Sequence, residues 1–215
     1  MNALEIHGLT KRRGDFVLRG LELTLPAGCI MGLIGENGAG KSTTIRLILN
    51  GLRRDGGTIA VYGKDNRAMT ALDREDIGVV LDEVGLPEYM NAQQIGRMMA
   101  GIFTHWQPEA YAGYLRRLAL PEDKPFRDFS RGMKMKQGLA VALSHQPKLL
   151  LLDEATSGLD PVVRDEILTI FSDFTRDEEH AVLLSSHIVS DLEKICDYIA
   201  FLTRGGCCCA RKRTG

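Results

Sequence analysis

The sequence predicts an α/β protein: a mostly parallel sheet, an antiparallel β subdomain N-terminal to it, and a helical subdomain inserted into it. Three observations predict it. Short apolar runs alternate with amphipathic helical stretches over much of the chain, which is the pattern of a parallel sheet covered by helices. Between about 84 and 147 strand signals nearly vanish and helical stretches take over. Finally, Gly35-Glu36-Asn37-Gly38-Ala39-Gly40-Lys41-Ser42-Thr43 fits the phosphate-loop pattern G-x-x-x-x-G-K-[ST], with an apolar run before it and a helical pattern after it.

The elements justify themselves in order. Residues 3–9 read as a first strand. Phe16 to Leu25 ends in alternation: Leu21, Leu23 and Leu25 are apolar while Glu22 and Thr24 are polar, as in a half-buried antiparallel strand. Pro26-Ala27-Gly28 turns the chain into Cys29–Ile34, a buried strand that feeds the phosphate loop. The helix after the loop has apolar positions at 45, 48, 49 and 52. Asp55-Gly56-Gly57 is a turn, Thr58–Tyr62 a strand, and Ile77–Leu81 a further apolar strand ending on Asp82-Glu83. In the inserted block Gln93–Phe103 and Pro108–Leu118 read as helices, the second with proline in its first turn. Pro121 and Pro125 interrupt the pattern, and a third helix runs to Leu143. The core resumes with the four leucines 149–152, ending on Asp153-Glu154. Asp160-Pro161 opens a helix whose apolar face holds Ile167, Leu168, Ile170, Phe171 and Phe174. Ala181–Leu184 is a strand ending at Ser185-Ser186-His187, and a helix through Ile188, Leu192 and Ile195 leads to a last strand, Tyr198–Leu202.

In a parallel sheet ligands bind at the carboxyl ends of the strands. The phosphate loop, Asp82, Asp153-Glu154 and His187 all fall at such ends. Glycines let the backbone wrap a triphosphate, and the helix N-terminus turns free amides toward the anion. Lys41 adds a point charge on the outer phosphates and Ser42 a hydroxyl for Mg²⁺. Asp153 is placed to hold Mg²⁺ directly or through water. Glu154 is a candidate general base for an attacking water, and His187 a donor to the terminal phosphate or to that water. Asp82 is a candidate for metal or water coordination. A glycine turn before an ordinary helix, a solvated strand end and a surface histidine are the bland readings of these features taken singly; their convergence on one sheet edge argues for function.

The bounds agree. At 215 residues the chain is long enough for one large domain, or one domain with a subdomain, and a full core. Net charge is −1, so no global basic field draws it to nucleic acid. No apolar run approaches the ~20 residues of a membrane span, and Met1–His7 carries no secretion signal. Cys29 and Cys196 read as small hydrophobes of a reducing compartment.

Together these motifs resemble the nucleotide-binding subunit of an ATP-binding cassette (ABC) transporter, over residues 3 to about 204. Gly35–Thr43 is similar to the Walker A motif, Leu149–Glu154 to Walker B, Ser157–Asp160 to the D-loop and His187 to the switch histidine. Phe129-Ser130-Arg131-Gly132-Met133 stands where the signature L-S-G-G-Q belongs. The resemblance implies a P-loop NTPase core in one ABC ATPase domain, residues 1–204, with ATP and Mg²⁺ as cofactors. It implies a head-to-tail dimer with a second copy or a homologous ATPase subunit, in which Ser130 and Gly132 close on the opposite nucleotide. It also implies transmembrane permease subunits docked near the helical insertion, no nucleic-acid partner, and a cytoplasmic position at the inner membrane face. The run from Ser130 to Lys136 resembles a bacterial exporter subgroup. Three departures stand out: Arg131 replaces a glycine, Met133 a glutamine, and Asp82 the Q-loop glutamine. An aromatic residue usually stacks on adenine near the second strand; the candidates here are Arg13 and Phe16, and the choice stays open.

The ending, residues 205–215, fits no expected pattern. Its three adjacent cysteines, Cys207–Cys209, are badly spaced for zinc. A disordered basic tail is one reading. A shifted reading frame is the favoured hypothesis, because cysteine codons read one base earlier yield leucines; sequencing the coding DNA tests it. Two rival functions are a non-transport ABC ATPase and a non-hydrolysing ATP-binding module. The first usually carries tandem cassettes or a coiled-coil insertion, and intact Lys41, Asp153, Glu154 and His187 argue against the second.

Overall fold

The computed structural model describes residues 1–203 and the backbone of 206–212. The chain opens with β1 (Asn2–Arg13), β2 (Phe16–Pro26) and β3 (Ile30–Gly35), followed by α1 (Lys41–Ile48), β4 (Gly56–Val61), β5 (Lys64–Asp65), α2 (Ala71–Glu75) and β6 (Ile77–Val80). The insertion supplies α3 (Ala92–Ala100), α4 (Pro108–Arg117) and α5 (Arg131–Leu143). Then come β7 (Leu149–Asp153), α6 (Pro161–Phe174), β8 (Ala181–Ser186), α7 (Val189–Ile195), β9 (Tyr198–Thr203) and β10 (Gly206–Lys212).

Two sheets result. One is antiparallel, in the order β2-β1-β4-β5. In it Leu21, Leu23 and Leu25 are buried while Glu22 and Thr24 are exposed, as the alternation requires. The other runs β10-β9-β3-β8-β7-β6, parallel except for β10 at its edge. Its two faces pack into separate cores. Leu149, Leu151, Met31, Leu33 and Leu183 face the antiparallel sheet and α1. Leu150, Leu152, Ile30, Val182 and Leu184 face α5, α6 and the insertion helices. A strand covered on both faces has no polar face to show, which is why Leu149–Leu152 reads as an unbroken apolar run.

The local signals that set the elements are visible. Ser130 caps α5 by accepting from the Met133 amide, 3.3 Å, and Asp160 caps α6 by accepting from Val163, 3.1 Å, with Pro161 next. Asn91 and Gln94 close a capping box on α3.

Some expectations change. The helix after the phosphate loop stops at Ile48, short of the apolar positions 49 and 52. Asn50 takes a left-handed conformation, φ 55°, and the amides of Gly51 and Asn50 return to the carbonyls of Arg46 and Leu47 at 2.9 and 3.1 Å. This paired closure ends the helix. Cys29 lies just before β3 and is only half-buried. Helix α2, with its Thr70–Asp73 capping box, and the two-residue β5 are too short to leave a periodic signal. Strand β10 pairs antiparallel with β9; the side chains of the tail, and hence the thiol and reading-frame expectations, lie outside the described residues.

Candidate nucleotide site

The carboxyl edge of the parallel sheet opens into a cleft of about 520 Å³. Glu36, Asn37, Gly38, Gly40, Lys41, Ser42 and Thr43 form one wall; Arg13 and Phe16 close one edge; Asp82, Arg131, Glu154, Ser157 and His187 complete the lining.

Backbone geometry explains the glycines. Gly40 sits at φ 110° before the first turn of α1, and a Cβ there would lie 2.7 Å from Cζ of Phe16. The Phe16 ring therefore packs on the loop itself. A Cβ on Gly35 would meet the Leu202 carbonyl at 2.6 Å, so the loop leaves β3 flush against β9. Ala39 is buried beneath the turn. These contacts hold the loop against the sheet while Glu36, Asn37, Gly38 and Ser42 stay exposed.

Lys41 is nearly buried. Its ammonium donates to the Gly35 carbonyl at 2.7 Å and lies 3.4 Å from Oε1 of Glu154. The other carboxylate oxygen of Glu154, Oε2, is 2.7 Å from Nδ1 of His187. With the carboxylate ionised, that ring nitrogen is the donor. Glu154 is thus strung between the loop lysine and a half-exposed histidine. Its backbone is left-handed, φ 54°, a region that non-glycine residues seldom occupy. The amide holds it there by donating to both the carbonyl and the hydroxyl of Ser185, at 3.2 and 3.0 Å.

Asp153 does not line the cleft. It is 4% exposed, behind Glu154, and accepts from the Ser185 hydroxyl at 2.7 Å. The register sets this contact, because Asp153 pairs with Ser185 across β7 and β8. Ser185, fully buried, therefore serves both acidic residues. Sequence reasoning passed over its role; its signal was a serine pair ending an apolar strand.

Asp82 does line the cleft, two residues past β6, and pairs with Arg131 at 2.6 Å. Ser130 and Gly132 lie elsewhere. They line a separate recess with Met133 and the Gly158–Asp160 loop. Arg13 and Phe16 sit opposite each other across the β1–β2 pair, Arg13 exposed and Phe16 half-buried.

The donor set fits a phosphate-bound divalent ion. Among the described residues no three acidic, histidine or cysteine side chains form a cage. An exposed hydroxyl on Ser42 and a buried, anchored carboxylate on Asp153, if they held such an ion, would leave its remaining positions to phosphates and water, the mode that Mg²⁺ favours.

Residues 18–157 match the family model described as ABC transporter. An ABC transporter ATP-binding protein of Bacillus subtilis, YhcH, is 35% identical over 209 residues, covering 94% of this chain and 67% of that protein. The bacitracin transport ATP-binding protein BcrA of Enterococcus faecalis is 32% identical over the same shares. The solved structure of an ATP-binding subunit of an ABC transporter superposes with a TM-score of 0.90 at 25% identity, covering 98% of this chain and 90% of that one. Among the described residues no helix is long and apolar enough to cross a membrane, and ABC ATPases work with membrane transporter subunits. The family match over most of the chain, on top of the cleft geometry, makes this chain a member of the ABC transporter family, an ATP-binding ATPase subunit that energises transport.

Proposed function

We propose that the cleft binds ATP with Mg²⁺ and hydrolyses it by a single-water mechanism in which Glu154 is the base. The observation that carries this is the Lys41–Glu154–His187 chain of contacts, which sets a carboxylate beside the phosphate-loop lysine with its second oxygen held by a ring nitrogen. Lys41 and the loop amides from Glu36 to Thr43 take the phosphates, with Gly35 and Ala39 fixing the loop. Ser42 and Asp153 would hold Mg²⁺, whose bound charge would offset that on the transferred phosphoryl group. As Lys41 turns to the phosphates, Glu154 is freed to take the proton of a water at Oε1. His187 orients Glu154 through Oε2. Arg13 and Phe16 border the base end, and Asp82 is the remaining acidic candidate for the metal.

Residues 1–204 act as one ATPase domain, with the helical insertion about 84–147 facing a permease subunit. The groove lined by Glu83, Val84, Leu86, Phe126 and Phe129 is the surface we assign to it. Ser130 and Gly132 would close on the nucleotide of a second copy or a homologous subunit, using the N-terminus of α5. The run from Ser130 to Lys136, similar to that of a bacterial exporter subgroup, favours export as the direction.

The test is Glu154→Gln. It should bind ATP, lose turnover by about 10²–10⁴-fold, and form an ATP-dependent dimer detectable by light scattering. Turnover at the parent rate would remove Glu154 from the role of base.

A further inference from the structure

Two of the residues that depart from the family pattern touch each other. Asp82 stands where a glutamine is usual and Arg131 where a glycine is usual, and their side chains meet at 2.6 Å, each about half exposed. The contact spans separate parts of the fold. Asp82 follows β6 in the parallel core, whereas Arg131 is the first residue of α5, between Ser130 and Gly132, the pair proposed to close on the opposite nucleotide. The Arg131 guanidinium also crosses the loop after β7: a Cβ on Gly158 would lie 3.3 Å from its Nη1. One cation thus ties the strand-end acid of this chain's own cleft to the helix start that would serve the opposite nucleotide.

Charge makes the pairing informative. Without Arg131, the cleft would carry three acidic side chains, Glu36, Asp82 and Glu154, against two cations, Lys41 and Arg13, before a triphosphate adds its own negative charge. A neutral residue at 82 needs no such partner, and a glycine at 131 could not supply one. We propose that Arg131 is the resident counter-cation of Asp82, and that Asp82 exchanges it for the divalent ion when metal-nucleotide is loaded, releasing the start of α5 from the core. This rests on the reading of the cleft as a Mg–ATP site. Arg131 is here a positioning residue acting through Asp82, and the loop carrying Gly158 is the third element that its release would free.

The test compares affinity for a fluorescent ATP analogue with Mg²⁺ and with EDTA, expressed as a ratio. Arg131→Leu should raise the ratio by about two- to five-fold, the range open to a half-exposed ion pair. Asp82→Asn should lower it, and the double variant should behave like Asp82→Asn. Arg131→Lys, which keeps a cation, should stay near the parent. In nucleotide-free protein, amide exchange at the start of α5 should quicken in both single variants; Mg–ATP should quicken it in the parent and add nothing in Asp82→Asn. A parent that binds the analogue but shows the same ratio in every variant overturns the exchange alone. A parent that does not bind it overturns the nucleotide-site reading and the exchange with it.

Discussion

Ser185→Ala tests how the acidic pair is held. The serine is fully buried, its hydroxyl donates to Asp153 at 2.7 Å, and it accepts from the Glu154 amide at 3.0 Å. Removing the hydroxyl takes one bond from a carboxylate that is only 4% exposed and that water reaches poorly. A hydrogen bond to a charged group is worth about 1.5–3 kcal/mol. The Glu154 amide keeps the Ser185 carbonyl, at 3.2 Å, so its share of the loss is small. The net cost should be about 2 kcal/mol, a fall of about 4–8 °C in Tm for a chain of this size. Turnover should fall more than affinity, since the amide bond that keeps Glu154 left-handed is halved while the phosphate loop is untouched. Urea unfolding at constant m-value gives the first quantity and steady-state ATP hydrolysis the second. The decisive control is a double-mutant cycle with Asp153→Ala, in which Ser185→Ala should cost much less. Strict additivity in that cycle, or a single-variant cost below about 0.5 kcal/mol, would refute the claim that Ser185 anchors Asp153.

Other outcomes follow from single contacts. Gly40→Ala places a Cβ at φ 110° and 2.7 Å from the Phe16 ring; it should cost about 1–2 kcal/mol and weaken nucleotide binding by about ten-fold or more, measured by unfolding and analogue titration. His145, 2% exposed, stacks on Phe103 with centroids 4.1 Å apart, and burial pushes its pKa down. Its folded pKa lies below the unfolded value of about 6.5, so stability is full above that pH and declines as pH falls below it, where the unfolded chain takes a proton that the fold resists. The decline of the urea midpoint between about pH 7 and 5 should be shallower in His145→Asn; an unchanged slope would assign it to other groups.

Much of this protein was legible because its core strands are covered on both faces. Leu149–Leu152 and Ala181–Leu184 announce themselves as apolar runs, and the acids and histidine that end them fall at one edge of the sheet by strand direction alone. The phosphate loop carried its own flanks. What stayed hidden depends on cross-strand register and on side chains far apart in sequence. Nothing local in Ser185 shows that it faces Asp153, 32 residues away. Asp82 and Arg131 read as two separate oddities until the fold brought them together across 49 residues. The early end of α1 was missed because the stop signal is Asn50, whose left-handed turn is a weaker sign than glycine.

The left-handed backbone of Glu154 has an evolutionary consequence. At that φ a glycine would escape about 1–2 kcal/mol of left-handed strain against a backbone-entropy cost of about 0.4–1 kcal/mol, so selection for fold stability alone would drift toward it. If Glu154 is the base proposed above, turnover and robustness pull this position in opposite directions. Laboratory evolution of this chain toward heat resistance, run without a demand for transport, should therefore find position 154 among the first places where activity can be surrendered for stability.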